Sequence, residues 1–199
     1  YYMANNSCEF ARALLERALE GNYAFLHAMI GVDVCEANNR AIENMEIMHM
    51  QGEDKDKFFY CNLDIPYSDD EDCVEHVREQ VSRKILKPLH ENYGIDTSDD
   101  AIRAAVSEHN EVCRILTEIG ELRKLDIPPI TGYEYAVLVL VSYTCPKRLI
   151  LPYLHETLEE IKSRKTDAEK DYRVRVVVVG SEIDDPQLIK LIEGCGALV

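Results

Sequence analysis

Apolar residues recur along this chain with two periods, and the alternation between them predicts its architecture. Over residues 9–20, Phe10, Leu14, Leu15, Ala18 and Leu19 fall on one side of a helix, with Asn5, Asn6 and Ser7 as caps and Gly21 as a stop. The run "AFLHAMIGVDV" (residues 24–34) reads as a buried strand and its exit. Glu36 to Met48 returns to helical spacing, and the turn "QGEDKD" leads to a second strand, "KFFYCNLDIP", closed by Pro66. Strand, helix and strand in that order predict a parallel α/β sheet.

A helical section follows. Val74, Val77, Val81, Ile85 and Leu89 trace one face, with Pro88 expected to bend or end the helix. Ala101 to Leu122 keeps the helical period behind Thr97 and Asp100, which resemble a capping box. The segment "YAVLVLVSY" has the β-branched content of a strand, but Thr131 and Glu134 offer a capping box before it, which favours helix. Leu149 to Ile161 is helical, and "KSRKTDAEKDYR" is a charged linker. The last stretch, "RVRVVVVGSEIDDPQLIKLIEGCGALV", reads as a βαβ unit: Pro186 suits a first helical turn, and the uninterrupted valines suit a strand buried on both faces. The expected division lies near residues 163–172. Residues 1–165 would form most of a first α/β lobe, and 166–199 would open a second.

Composition narrows the function classes. A net charge of -15 argues against a general nucleic-acid binder, which needs clustered Lys and Arg to neutralise phosphates. There is no apolar run long enough to cross a bilayer and no secretory pattern. Seven cysteines, an odd number, read as reduced thiols of a cytoplasmic protein rather than a disulfide framework. The chain begins "YYMANN" and stops at "GCGALV", within a strand, so it reads as a fragment truncated at both ends.

Two cysteines stand out by position. Cys8 falls at the start of the first predicted helix, and Cys35 at the junction of the first strand with the next helix. Ligands of parallel α/β folds gather at the carboxyl ends of strands and the amino ends of helices. Helix N-termini favour sulfur in its anionic, metal-binding form. On the residues alone, the pair reads either as soft-metal ligands or as structural or reactive thiols, because 27 positions separate them and no local clamp is formed. Cys61, Cys73, Cys113, Cys145 and Cys195 read as buried or incidental, Cys113 on the apolar stripe of its helix. The histidines lack HxxxH spacing, and the acidic clusters "YSDDEDC" and "TSDD" lack the EF-hand pattern. Gly180 and Ser181 follow a strand and are either ligand-contacting residues or an ordinary turn.

The string "NNSCEFARALLERALEG" resembles the first cysteine segment of the 2-hydroxyacyl-CoA dehydratase and benzoyl-CoA reductase family, and "GVDVCEANNRAIENME" is similar to the second, with Glu36 where the family usually has Asp. The Pro turn and long helix after "FFYCNLDIP", the Pro-Pro connector with Gly-x-Glu, and the closing βαβ stretch follow in the same order. The resemblance covers nearly the whole chain. It implies Rossmann-like lobes with a [4Fe-4S] cluster between them. Cys8 and Cys35 would be two of its ligands, with a third cysteine beyond residue 199. It also implies a homologous second subunit, a heterodimer, an ATP-dependent activator that supplies one electron at low potential, and an acyl-CoA substrate. In the dehydratases the electron reaches the thioester of a 2-hydroxyacyl-CoA, giving a ketyl radical that expels the C2 hydroxyl as water; in the reductases it goes to an aromatic ring. The dehydratase is the preferred reading; a benzoyl-CoA reductase-type subunit, a non-catalytic partner subunit, or an unrelated α/β protein with incidental cysteines are the alternatives.

Overall fold

The computed structural model describes residues 2–50, 56–165, 172–180 and 183–199, which divide into two compact units, Tyr1–Ser98 and Asp99–Val199. The expected lobe boundary, the turn at 51–55 and Ser181 fall largely or wholly outside the described residues.

In the first unit, helix α1 (Glu9–Leu19) is followed by strand β1 (Ala28–Val32), helix α2 (Glu36–Ile47) and strand β2 (Phe59–Leu63). The two strands pair in parallel over five residues, from Ala28 opposite Phe59 to Val32 opposite Leu63. Small residues let α1 and α2 approach closely: Ala11 and Ala41 are buried beside Leu15 and Met45, with Met29 and Tyr60 of the sheet against them. Gly31 of β1 lies close under α2, where any side chain would have to displace the end of Ile42. A Cβ there would lie 2.5 Å from Ile42 Cδ1 and 3.1 Å from Asn62 Oδ1.

Beyond β2, helix α3 (Glu71–Val81) begins at Asp70, whose carboxylate accepts from the Cys73 amide. Of the two effects expected at Pro88, ending the helix is corrected here. The helix neither ends nor breaks at it, but passes through a π turn at Ser82–Leu86 into helix α4 (Lys87–Tyr93). A proline ring clashes with the carbonyl four residues back; a wider turn placed just before it relieves that clash, and the helix continues. Gly94, with φ 66°, ends α4 in the left-handed conformation.

The second unit is built on helices α5 (Asp99–Leu122), α6 (Gly132–Thr144) and α7 (Lys147–Ser163). Val112, Ile115 and Ile119 of α5 meet Ile150, Leu154, Leu158 and Ile161 of α7, with Ile130, in one buried cluster. The spacings of three and four are those of helix stripes facing each other. At α6 the capping box is present: the Thr131 hydroxyl accepts from the Glu134 amide, and the Glu134 carboxylate accepts from the Thr131 amide. The ambiguous apolar segment is therefore a helix. Strand β3 (Val174–Arg175), helix α8 (Pro186–Gly194) and strand β4 (Ala197–Leu198) complete a parallel βαβ unit.

The long buried strand expected at the valines is corrected. Among the described residues, only Val174 and Arg175 of this run are paired, and Val177 and Val179 are each 86% exposed. A strand buried on both faces needs a layer on each; among the described residues these two valines have none. The fold class is α/β, with helices predominating.

Candidate functional site

The site begins with the two cysteines chosen from the sequence. Cys8 is the N-cap of α1 and Cys35 the N-cap of α2. Both are free and exposed, and neither thiol caps its own helix through a hydrogen bond. Each sulfur therefore sits at the positive end of a helix without being consumed by it. Both helices belong to the same compact unit and pack through the same apolar cluster. The structure thus places both cysteines in the local setting expected for them.

The carboxyl edge of the β1–β2 sheet is polar, and the sequence dictates how it is held. Past the end of β1, the Asp33 amide donates to the Leu63 carbonyl at 2.7 Å, tying the exits of the two strands together. Two residues on is Cys35. One turn into α2, Asn39 is 4% exposed; its Nδ2 donates to the Asp33 carboxylate, while its Oδ1 is buried and lacks a partner. Glu36 accepts from Arg40 Nε at 3.0 Å on an exposed face, and this ion pair helps hold the guanidinium pKa above its ordinary value.

At the exit of β2 the chain is clamped by residues that periodicity passed over. Gln80, 3% exposed, accepts from the Asp64 amide at 3.1 Å and donates to the Asp64 carbonyl at 2.8 Å. Lys84 donates to the Asn62 carbonyl and to Gln80 Oε1, at 2.7 and 2.6 Å, and His76 Nε2 lies 3.1 Å from the Asp64 carboxylate. The available signal was a polar stripe at 76, 80 and 84, one helical turn apart, beside the apolar face at 74, 77 and 81. Cys61, beneath this clamp, is buried, and burial raises its thiol pKa while the Lys84 charge opposes the rise.

The remaining candidates resolve individually. Gly180 has nothing within 4 Å of where a Cβ would stand, so no close approach requires glycine there. Cys73 and Cys145 are half-buried and Cys195 is exposed. Cys113 is exposed rather than on the buried stripe: the buried positions of α5 are Val112, Ile115 and Ile119, and Cys113 lies one residue off that line. Among the described residues, no group of three or more His, Cys, Asp or Glu side chains forms a metal site, and no helix is long and apolar enough to cross a membrane.

Comparison with curated proteins returns no match. A family model described as 2-hydroxyglutaryl-CoA dehydratase, D-component, matches residues 1–199. With both cysteine segments, the Pro turn and the capped Gly-x-Glu connector inside the matched span, the chain belongs to the 2-hydroxyglutaryl-CoA dehydratase D-component family.

Proposed function

We propose that this chain is part of the iron–sulfur subunit of a 2-hydroxyacyl-CoA dehydratase-type enzyme, with Cys8 and Cys35 as two of the thiolate ligands of a [4Fe-4S] cluster. The observation that carries the reading is the placement of both sulfurs: free, exposed and at helix N-caps within one compact unit. The donor chemistry fits, because iron–sulfur clusters are held by cysteine thiolates and helix N-termini favour them. When bound, such a cluster would supply single electrons at low potential to the CoA thioester.

The chain's own residues would act as a frame. Ala11 and Ala41 set the approach of α1 and α2, and the tie between Asp33 and Leu63 fixes the exit of β1 that leads to Cys35. Asn39, held by Asp33, keeps a buried acceptor one turn behind that cysteine. The family description as a component supports assembly with further proteins, here a homologous second subunit and an ATP-dependent activator in the cytoplasm, acting on an acyl-CoA. Residues 166–199 would then open a second Rossmann-like lobe.

The test is anaerobic iron and acid-labile sulfide analysis of the protein expressed with its neighbouring subunit. We expect iron and sulfide near one four-iron cluster per subunit, lost in Cys8→Ala and in Cys35→Ala. A protein that stays metal-free after anaerobic reconstitution, or one whose iron is unchanged in both variants, rejects the assignment.

A further inference from the structure

Helix α5, in the second unit, carries a further pair of soft donors. His109 and Cys113 stand at i and i+4, one turn apart on one face, and both are exposed. His109 Nε2 lies 3.4 Å from Cys113 Sγ. A tetrahedral zinc with a sulfur at about 2.3 Å and an imidazole nitrogen at about 2.0–2.1 Å sets those two donors roughly 3.5–3.6 Å apart. The observed separation is close to that edge, so both side chains can take up a metal with little movement.

We propose that His109 and Cys113 form a two-ligand site for a soft, thiophilic divalent cation, zinc first among them. The helix makes the pair rigid. The adjoining face, about 100° round the helix, is fixed by Val112, Ile115 and Ile119 in the core, so packing sets the backbone positions of the two donors. Arg114, which follows Cys113 in the chain, donates to Glu111 at 2.7 Å and to Glu118 at 3.0 Å, and so is drawn toward carboxylates. Because no third protein donor joins the pair among the described residues, the other coordination positions are open to water. Binding displaces one proton from the thiol; the imidazole binds in its neutral form, and no oxidation is involved.

The experiment uses the full chain, reduced and anaerobic, titrated with Co2+ and with Zn2+. Cobalt bound at this pair gives a thiolate-to-metal charge-transfer band in the near ultraviolet. Cys113→Ser and His109→Ala should each weaken uptake of one metal equivalent by about tenfold or more, since a chelate is reduced to a single ligand. Cys113→His, which keeps two donors one turn apart, should retain the metal and lose the sulfur band. Both positions are exposed, and circular dichroism checks that the three variants fold. The Cys8→Ser, Cys35→Ser double variant should keep the equivalent that Cys113→Ser loses, which separates this site from the cluster assignment. If Cys113→Ser and His109→Ala take up metal as tightly and in the same amount as the parent, the pair is only a hydrogen-bonded contact and the site does not exist.

Discussion

The chain contains two parallel βαβ units, and they differ in the sense opposite to their strand sequences. The second has the stronger strand signal, "RVRVVVV", yet only two residues of it pair and Val177 and Val179 face solvent. The first has "AMIGV", with a glycine in its middle, yet five residues pair in register. β-propensity describes how well a side chain fits a half-buried pleated surface, and that surface has to exist. In the first unit it does: α2 lies over Gly31, and Gln80 and Lys84 clamp the exit of β2. Cover, more than composition, decides how far each strand extends.

A large loss is expected from filling the space under α2. Gly31→Val places atoms where Ile42 Cδ1 and Asn62 Oδ1 now sit, with Ile42 itself buried. Overpacking of this kind costs about 1–3 kcal/mol. Chemical denaturation should show the loss at the upper end of that range, and hydrogen exchange should show it in β1 and β2. An unchanged midpoint would mean that the first sheet does not depend on this close approach.

The second unit should respond most to Glu193. This α8 carboxylate accepts from the Gly132 and Tyr133 amides, at 2.7 and 3.1 Å, at the N-terminus of α6. Glu193→Ala leaves two helix N-terminal donors without that acceptor and should cost about 1.5–3 kcal/mol. Thr131→Ala, which removes the neighbouring cap, should cost about 1 kcal/mol. If Thr131→Ala were the more damaging of the two, α6 would be held by its own cap rather than by its tie to α8.

Acid should also act on this end of α6. Burial would raise the Glu134 pKa, but hydrogen bonds from the Thr131 amide and the Arg164 guanidinium outweigh it and hold the carboxyl below its ordinary value. A group with a depressed folded pKa contributes stability above its unfolded pKa and loses it as pH falls through the folded one. Between neutral pH and about pH 3, the parent should therefore lose more stability than Glu134→Gln. Equal slopes in denaturation series at the two pH values would remove Glu134 from the acid response.

These contrasts also separate what the sequence carries from what only packing supplies. The helices from Glu9, Glu36, Asp99 and Gly132 were legible because each has a local cause: a stripe, a stop glycine, or a capping box such as that of Thr131 and Glu134. The positions of Cys8 and Cys35 at helix N-caps were legible for the same reason. What failed depends on distant partners. The helix end offered at Pro88 does not occur, because the chain passes it with a π turn. Cys113 was assigned to a stripe it misses by one residue, a displacement of 100° on a helix that also brought it to His109. The Gln80 clamp was missed because a buried polar residue shows its value only beside the backbone groups it satisfies.

The smallest expected effect is the sharpest test of the opening contrast. Val177 is 86% exposed, so Val177→Thr removes little buried apolar surface and should change stability by no more than about 0.5 kcal/mol in either direction. The matched change at a covered strand position, Leu63→Thr, removes a side chain that is 8% exposed and adds a hydroxyl to its site, and should cost about 2–4 kcal/mol. Measured by denaturation of the same chain, a near-zero value at Val177 beside a large one at Leu63 supports cover as the controlling variable. A loss of about 2 kcal/mol or more at Val177 would mean that the valine run is buried in solution against a layer outside the described residues. Strand propensity would then have read this segment correctly, and the contrast between the two βαβ units would shrink to a difference in length.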